Sequence, residues 1–208
     1  MLRDSVTAHN GYMIGRGVLL QDPAGQSFWF DPGAPSLAWA LSGGEGYRAV
    51  FEVLRAPEDL AAWTKTSLGI EVERVSAKDL TEANRLREAI WQCADAQIGG
   101  GPLPREHVAE INHFASRPPP IPQIVKDHEH RWANPVTYRQ VLSMVARDAV
   151  DLYTGPTAHR IRRCTGTNCS LIFVDRSRPG KRRWCSMDRC GNRAKVSAFR
   201  NRATNEGS

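Results

Sequence analysis

Four cysteines stand in two pairs near the end of the chain, Cys164 with Cys169 and Cys185 with Cys190. Each pair encloses four residues, and fifteen residues separate the pairs. A pair at this spacing forms a knuckle that turns two thiolates toward one point. Two knuckles then offer a tetrahedral set of four sulfurs, which suits Zn²⁺. Because four thiolates fill the coordination sphere, such a metal is structural rather than catalytic. Two disulfides are the competing reading, and an iron–sulfur cluster is a third. The chain has five cysteines, an odd number that fits a disulfide framework poorly and points to a reducing, cytoplasmic setting.

The elements around the cysteines must bring the knuckles together. Leu171–Val174 and Arg182–Trp184 predict the two strands of a β-hairpin around the turn Ser177-Arg178-Pro179-Gly180. Ser186 is placed to cap a helix from about Met187 to Arg202, with Cys190 in its first turn. Knuckle, hairpin and a helix carrying the last ligand make a treble-clef-like arrangement. A stretch of about 45 residues is near the size at which a core alone fails to fold, and bound metal supplies the missing free energy. Phe173 and Trp184 are expected to pack beneath the metal. Stacking of Trp184 on a base is the alternative. His159 is a spare ligand that four cysteines make unnecessary.

Charge is segregated toward the same stretch. The 208 residues carry 28 basic and 22 acidic side chains, a net charge of +6. Between Arg160 and Arg202 there are 13 basic residues against Asp175 and Asp188 alone, or +11, which leaves 15 basic and 20 acidic residues elsewhere, or −5. A near-neutral body carrying a basic module is the pattern of a polyanion binder. Arg176, Arg178, Lys181, Arg182 and Arg183 cluster at the hairpin, and Arg189, Arg193, Lys195, Arg200 and Arg202 lie along the helix. At helical spacing Arg189, Arg193 and Arg200 share a face. Asn192 lies close to it and suits a base edge, since Asn pairs with adenine as Arg does with guanine. A solvated basic surface is the bland alternative. An anionic membrane surface is disfavoured because the helix lacks a broad apolar face.

Upstream, the chain reads as an α+β domain that is mainly helical with a small sheet. Tyr12–Gln21 and Ser27–Asp31 look like strands flanking the turn Asp22-Pro23-Ala24-Gly25. Leu37–Leu41 makes one or two helical turns before Gly43-Gly44. Pro57, Glu58 and Asp59 open a helix through about Thr66. Ser76 and Asp79 resemble a capping box for a longer helix, whose apolar residues Leu80, Ala83, Leu86, Ile90 and Ala94 run up to Gly99. Arg105–Ser116 predicts a third helix, stopped by the stiff connector Pro118–Pro122. Ile124–Trp132 reads as a strand. Asn134-Pro135 is a start signal for a helix over Val136–Tyr153, with Val141, Leu142, Val145, Ala149 and Leu152 on its apolar face. Gly155-Pro156 ends it, and the domain boundary falls between Thr154 and His159.

Other chemistry finds little support. Cys93 reads as a buried small hydrophobe rather than a nucleophile. His128-x-His130 on a strand points two rings to one side, but no third ligand stands at a recognisable spacing. No phosphate loop, dinucleotide fingerprint, zinc-protease motif or nucleophile elbow occurs, so no enzyme is expected. No apolar run approaches the ~18 residues of a membrane span, and Met1–Ser5 is followed by no apolar stretch that suggests a secretory signal.

Arg163-Cys164-x4-Cys169-x2-Ile172-Phe173-Val174-Asp175, followed by Arg182-Arg183-Trp184-Cys185-Ser186-Met187-x2-Cys190-Gly191-Asn192-Arg193, resembles the CGNR zinc finger over about residues 160–203. Leu54-x2-Pro57-x-Asp59-Leu60-Ala61-Ala62-Trp63, Ala83-x2-Leu86-Arg87-Glu88-Ala89-Ile90 and Ala146–Leu152 resemble the ABATE domain that precedes this finger in bacterial proteins. That family tends to carry an Asn-Thr pair after an early apolar segment, where this chain reads Ala38-Trp39-Ala40-Leu41-Ser42-Gly43. The resemblance implies a transcription regulator whose finger binds DNA and whose first domain senses a ligand.

The expectations are therefore an ABATE-like domain over residues 1–154 and a zinc finger over 160–203. Zinc is held by Cys164, Cys169, Cys185 and Cys190, and the basic set contacts phosphates of duplex DNA, with Asn192 or Arg193 at base edges or bracing the knuckle. A homodimer would aid specificity, because a lone module covers only ~600–1,000 Å² of its protein surface on DNA. A small-molecule sensor whose finger mediates protein contacts, and an RNA-binding protein, are the alternatives.

Overall fold

Apolar residues recur every three or four positions within Leu60–Leu68, Leu80–Ala94, Val108–Ala115 and Val141–Leu152, and helices form there for that reason. A computed structural model describes residues 17–21 and 25–205. Tyr12–Arg16 of the first expected strand and Asp22–Ala24 of its turn lie outside the described residues. What remains pairs as anticipated: β1 (Val18–Gln21) runs antiparallel to β2 (Ser27–Phe30). Val18, Leu20 and Phe30 face the core, while Leu19 and Trp29, opposite one another, face outward.

α1 (Pro35–Ala40) buries nearly its whole surface, with Trp39 at its centre. The Trp39 ring meets Trp63 edge-to-face at 4.9 Å, and its indole N–H donates to the Ala83 carbonyl. Trp63 comes from α2 (Pro57–Leu68), whose start is fixed by Asp59 accepting from the backbone amides of Arg55 and Ala56. α3 (Ala77–Ile98) is the long central helix, opened by the Ser76–Asp79 capping box. Of its apolar stripe Ala83, Leu86, Ile90 and Ala94 are fully buried and Leu80 is half-buried, and Cys93 is buried among them.

α4 (Arg105–Ala115) and α5 (Tyr138–Thr154) pack on each other and on α3. Two expectations need correction between them. The single strand over Ile124–Trp132 is instead a small hairpin, β3 (Pro122–Ile124) with β4 (His130–Trp132). His128 sits at φ 64 in the one-turn 3-10 helix between these strands, so the chain reverses there and His128-x-His130 is not a strand pair. α5 also starts later than Asn134-Pro135 suggested. That peptide is cis, and the cap is Thr137, whose amide donates to Gln140 Oε1 at 2.8 Å.

Charged residues are threaded into this helical body. Arg87 is buried and reaches both carboxylate oxygens of Glu52 at 2.9 and 2.8 Å. Burial raises the Glu52 carboxyl, but the Arg87 hydrogen bonds and charge, together with the amides of Leu54 and Gly44, outweigh it and hold the pKa below the ordinary value. Arg48, also buried, pairs with Glu88 and lies 4.6 Å over the Trp91 ring. Gly43 and Gly44, at φ 143 and 132, bring the backbone against these pairs in a conformation that side chains disfavour. Among the described residues no helix is long and apolar enough to cross a membrane.

Candidate metal centre and basic surface

The cysteine-bearing region is built on a hairpin, although not the one the sequence suggested. β6 (Ile172–Val174) pairs with the upstream strand β5 (Ile161–Arg163), not with Arg182–Trp184. The first knuckle is thus the loop of the hairpin, closed by the Cys164 amide donating to the Leu171 carbonyl at 2.9 Å. Arg182–Trp184 returns alongside the knuckle without joining the sheet, held by the Thr165 amide on the Arg183 carbonyl. The physical reason lies at Asp175. Its fully buried carboxylate accepts from the amides of Ser177 and Arg182, which turns the chain out of the sheet just after β6.

Ser186 caps the next element as expected, accepting from the Arg189 amide at 3.2 Å. The helix opens with a π-helical turn over Met187–Gly191, which carries Cys190, and continues as α6 (Asn192–Asn205).

Together these elements bring the four sulfurs within 4.8 Å of one another. Cys185 lies 3.6 Å from Cys190 and 3.9 Å from Cys169, sulfur to sulfur. Tetrahedral Zn–S bonds of ~2.3 Å place sulfurs about 3.8 Å apart, so the cluster has the dimensions of a Zn(Cys)₄ centre. Cys164, Cys185 and Cys190 are buried and Cys169 is half-buried. The amides of Cys185 and Gly166 donate to Cys164 Sγ, which stabilises it as a thiolate ligand. A Cβ on Gly166 would lie 2.7 Å from Cys190 Sγ, so the first knuckle admits only glycine at that point.

The thiols strongly perturb one another. Hydrogen bonds from Cys169 and Cys185 draw the Cys164 thiol down to about 2, whereas the bond to Cys164 pushes Cys169 far up and Cys185 up to about 12. Four sulfurs this close become four thiolates only around a cation. Cys93, outside the cluster, is driven up to about 11 by burial, which leaves it an inert thiol.

The basic residues divide into braces and exposed cations. Arg182 lies 4.1 Å over the buried Phe173 ring and donates to the carbonyls of Trp184 and Cys185. Arg176 donates to the Gly33 carbonyl and Arg189 lies over the Phe28 ring, so both tie the cysteine region to the body. Arg183 stacks 5.0 Å over the half-buried Trp184. Arg178, Lys181, Arg183, Asn192, Arg193, Lys195 and Arg200 are exposed. Arg189, Asn192, Arg193 and Arg200 line a shallow cleft of about 480 Å³ with Asp188, Val196 and Ser197. Arg189, Arg193 and Arg200, which helical spacing places on one face, thus line one cleft together with Asn192.

The sequence reading missed the seam that carries this region. Val174 donates its amide to the Pro32 carbonyl at 2.8 Å, and Arg163 pairs with Asp95 on α3 while lying 5.4 Å over Trp91. Nothing in the spacing of Pro32, Trp91 or Asp95 singles them out. Asp175, by contrast, was visible as one of two acids in a basic stretch, and that rarity was its signal.

Comparison with protein-family models matches residues 33–156 to ABATE, described as "Putative stress-induced transcription regulator". Residues 160–203 match the CGNR zinc finger. No curated protein matches the chain. The finger match and the four-sulfur cluster together identify Zn²⁺ as the cofactor.

Proposed function

This chain belongs to the ABATE family of transcription regulators and ends in a CGNR zinc finger, and from that premise we propose that it acts by zinc-dependent binding of duplex DNA. Cys164, Cys169, Cys185 and Cys190 would hold the metal, which fixes β5–β6, the returning segment and the start of α6 as one unit. The zinc supplies folding free energy and no chemistry of its own. The observation that carries the reading is the cleft along α6, where Arg193 and Arg200 stand together with Asn192. Arg178, Lys181, Arg183 and Lys195 extend the cationic surface, and their exposure suits phosphate contact. The domain proposed over residues 1–154 would sense a small-molecule effector, and the protein would work in the cytoplasm.

The test is fluorescence anisotropy of zinc-loaded protein against duplexes enriched from a random pool, across a salt series. With about six phosphate contacts, affinity falls ~10³-fold or more between about 50 and 200 mM salt. A sequence that still binds at the high end supports a site-specific regulator. Preference for single strands or A-form duplexes would replace the reading with RNA binding. Absence of binding at low salt would turn the basic surface into a protein-contact surface.

A further inference from the structure

α6 carries two large apolar side chains with no place in any core. Val196 is 49% exposed and Phe199 is 70% exposed, on a helix where every residue from Asn192 to Arg200 except Ala194 is exposed. Asn192, Val196 and Phe199 are four and three residues apart, so they form one stripe along the helix. At helical spacing Arg193 and Arg200 flank the stripe on one side and Lys195 on the other, and Asp188 stands one turn before Asn192 as the single acid beside it. An apolar stripe between two cationic margins asks for a partner with an apolar floor between two anionic walls.

The B-DNA major groove is such a partner. Phosphates form its walls, and the C5-methyl groups of thymines project from its floor. Resting on the duplex-binding reading above, we infer that α6 lies in the major groove and reads thymine methyl groups through Val196 and Phe199, with Asn192 aligned to an adjacent adenine. A helix ~10–12 Å across with its side chains fits a groove ~12 Å wide. The deep, narrow major groove of A-form RNA does not admit it. Phe199 lies seven positions after Asn192, a rise of ~10.5 Å, which spans about three base pairs at ~3.4 Å each. The sequence read by α6 is therefore short and A·T-containing. The same face of a second copy is a poor occupant, because Arg193 and Arg200 would meet their own equivalents.

The experiment uses full-length, zinc-loaded protein and an enriched duplex in which each thymine is replaced singly by deoxyuridine. The exchange removes one methyl group and nothing else. The wild type loses roughly fourfold in affinity at one or two positions, the worth of one buried methyl. Phe199→Ala or Val196→Ala abolishes the loss at its own position while zinc content and salt slope are retained. Salt-dependent duplex binding with no methyl-sensitive position overturns the inference and leaves the duplex-binding reading standing. An equal loss in wild type and both variants also overturns it, as does a fall from dimer to monomer in Phe199→Ala by sedimentation. Absence of any duplex binding overturns both readings.

Discussion

Arg163 and Asp95 form an ion pair between the strand that leads into Cys164 and the central helix of the body. The same guanidinium lies over Trp91, whose ring also lies beneath Arg48. Trp91 thus sits between a cation buried in the body and one that belongs to the metal-bearing hairpin. The strand β5 reaches the metal only by passing this contact.

Asp95→Asn removes the carboxylate charge from a pair that is half open to solvent, with side-chain exposures of 28% and 52%. Such pairs contribute ~0–1 kcal/mol. The expected outcome is a stability loss below about 1 kcal/mol in urea unfolding, with zinc content unchanged. A larger loss would show that the stacked Arg163 depends on its acid.

Arg87→Ala is a different case. It strips a bidentate partner from Glu52 in a largely buried setting. Loss of one member of such a pair costs ~3–5 kcal/mol. Urea unfolding monitored by circular dichroism should register that loss, and a change under about 1 kcal/mol would contradict the buried role of Arg87.

Acid sensitivity follows from the same carboxylates. The pKa values of Glu52, Glu82 and Glu88 are all lowered from the ordinary 4.5 by arginine partners. A carboxyl depressed in the folded state contributes stability above its unfolded pKa, and that contribution is lost as pH falls through the folded value. Urea midpoints should therefore fall as pH drops below about 4.5. Glu52→Gln should flatten that fall, and an unchanged profile would remove Glu52 from the account.

Cys185→Ser is expected to abolish stoichiometric zinc binding and to loosen the region from β5 onward, read by metal analysis and amide exchange. Retention of full zinc would show that the sulfur set is wrong. Part of the body should also soften, because Ile161, Phe173 and Val174 are buried within the same core as the helices.

Two neighbouring arginines should behave differently. Arg183→Ala is expected to weaken binding to all duplex sequences alike and to reduce the salt slope by ~1. Arg182→Ala should instead lower zinc affinity, because Arg182 caps the carbonyls of Trp184 and Cys185 and covers Phe173. Equal effects of the two on the salt slope, with zinc affinity unchanged, would overturn this division.

How much of this was legible depends on the range of the signal. The Ser76–Asp79 box, the stripe from Ala83 to Ala94 and the Ser186 cap are local patterns, and the structure contains them. The cysteine spacing foretold a four-sulfur cluster because knuckles are local too. The hairpin partner was not legible. Both Ile161–Arg163 and Arg182–Trp184 fit a strand, and the choice is made by Asp175 capturing the Arg182 amide. The braces Arg176 and Arg189 were unreadable for a similar reason, since Gly33 and Phe28 lie about 150 residues away in sequence. Charge composition marks a cation but not its destination.

The seam at Pro32 and Gly33 bears on inheritance. One carbonyl receives the Val174 amide and the next receives Arg176, so the end of the hairpin is stitched to a turn formed near the other end of the chain. Recombination that transplanted residues 160–203 onto another body would sever both stitches and uncover Val174. Residues 160–203 moved to another body would keep both stitches only where the recipient offers a matching turn.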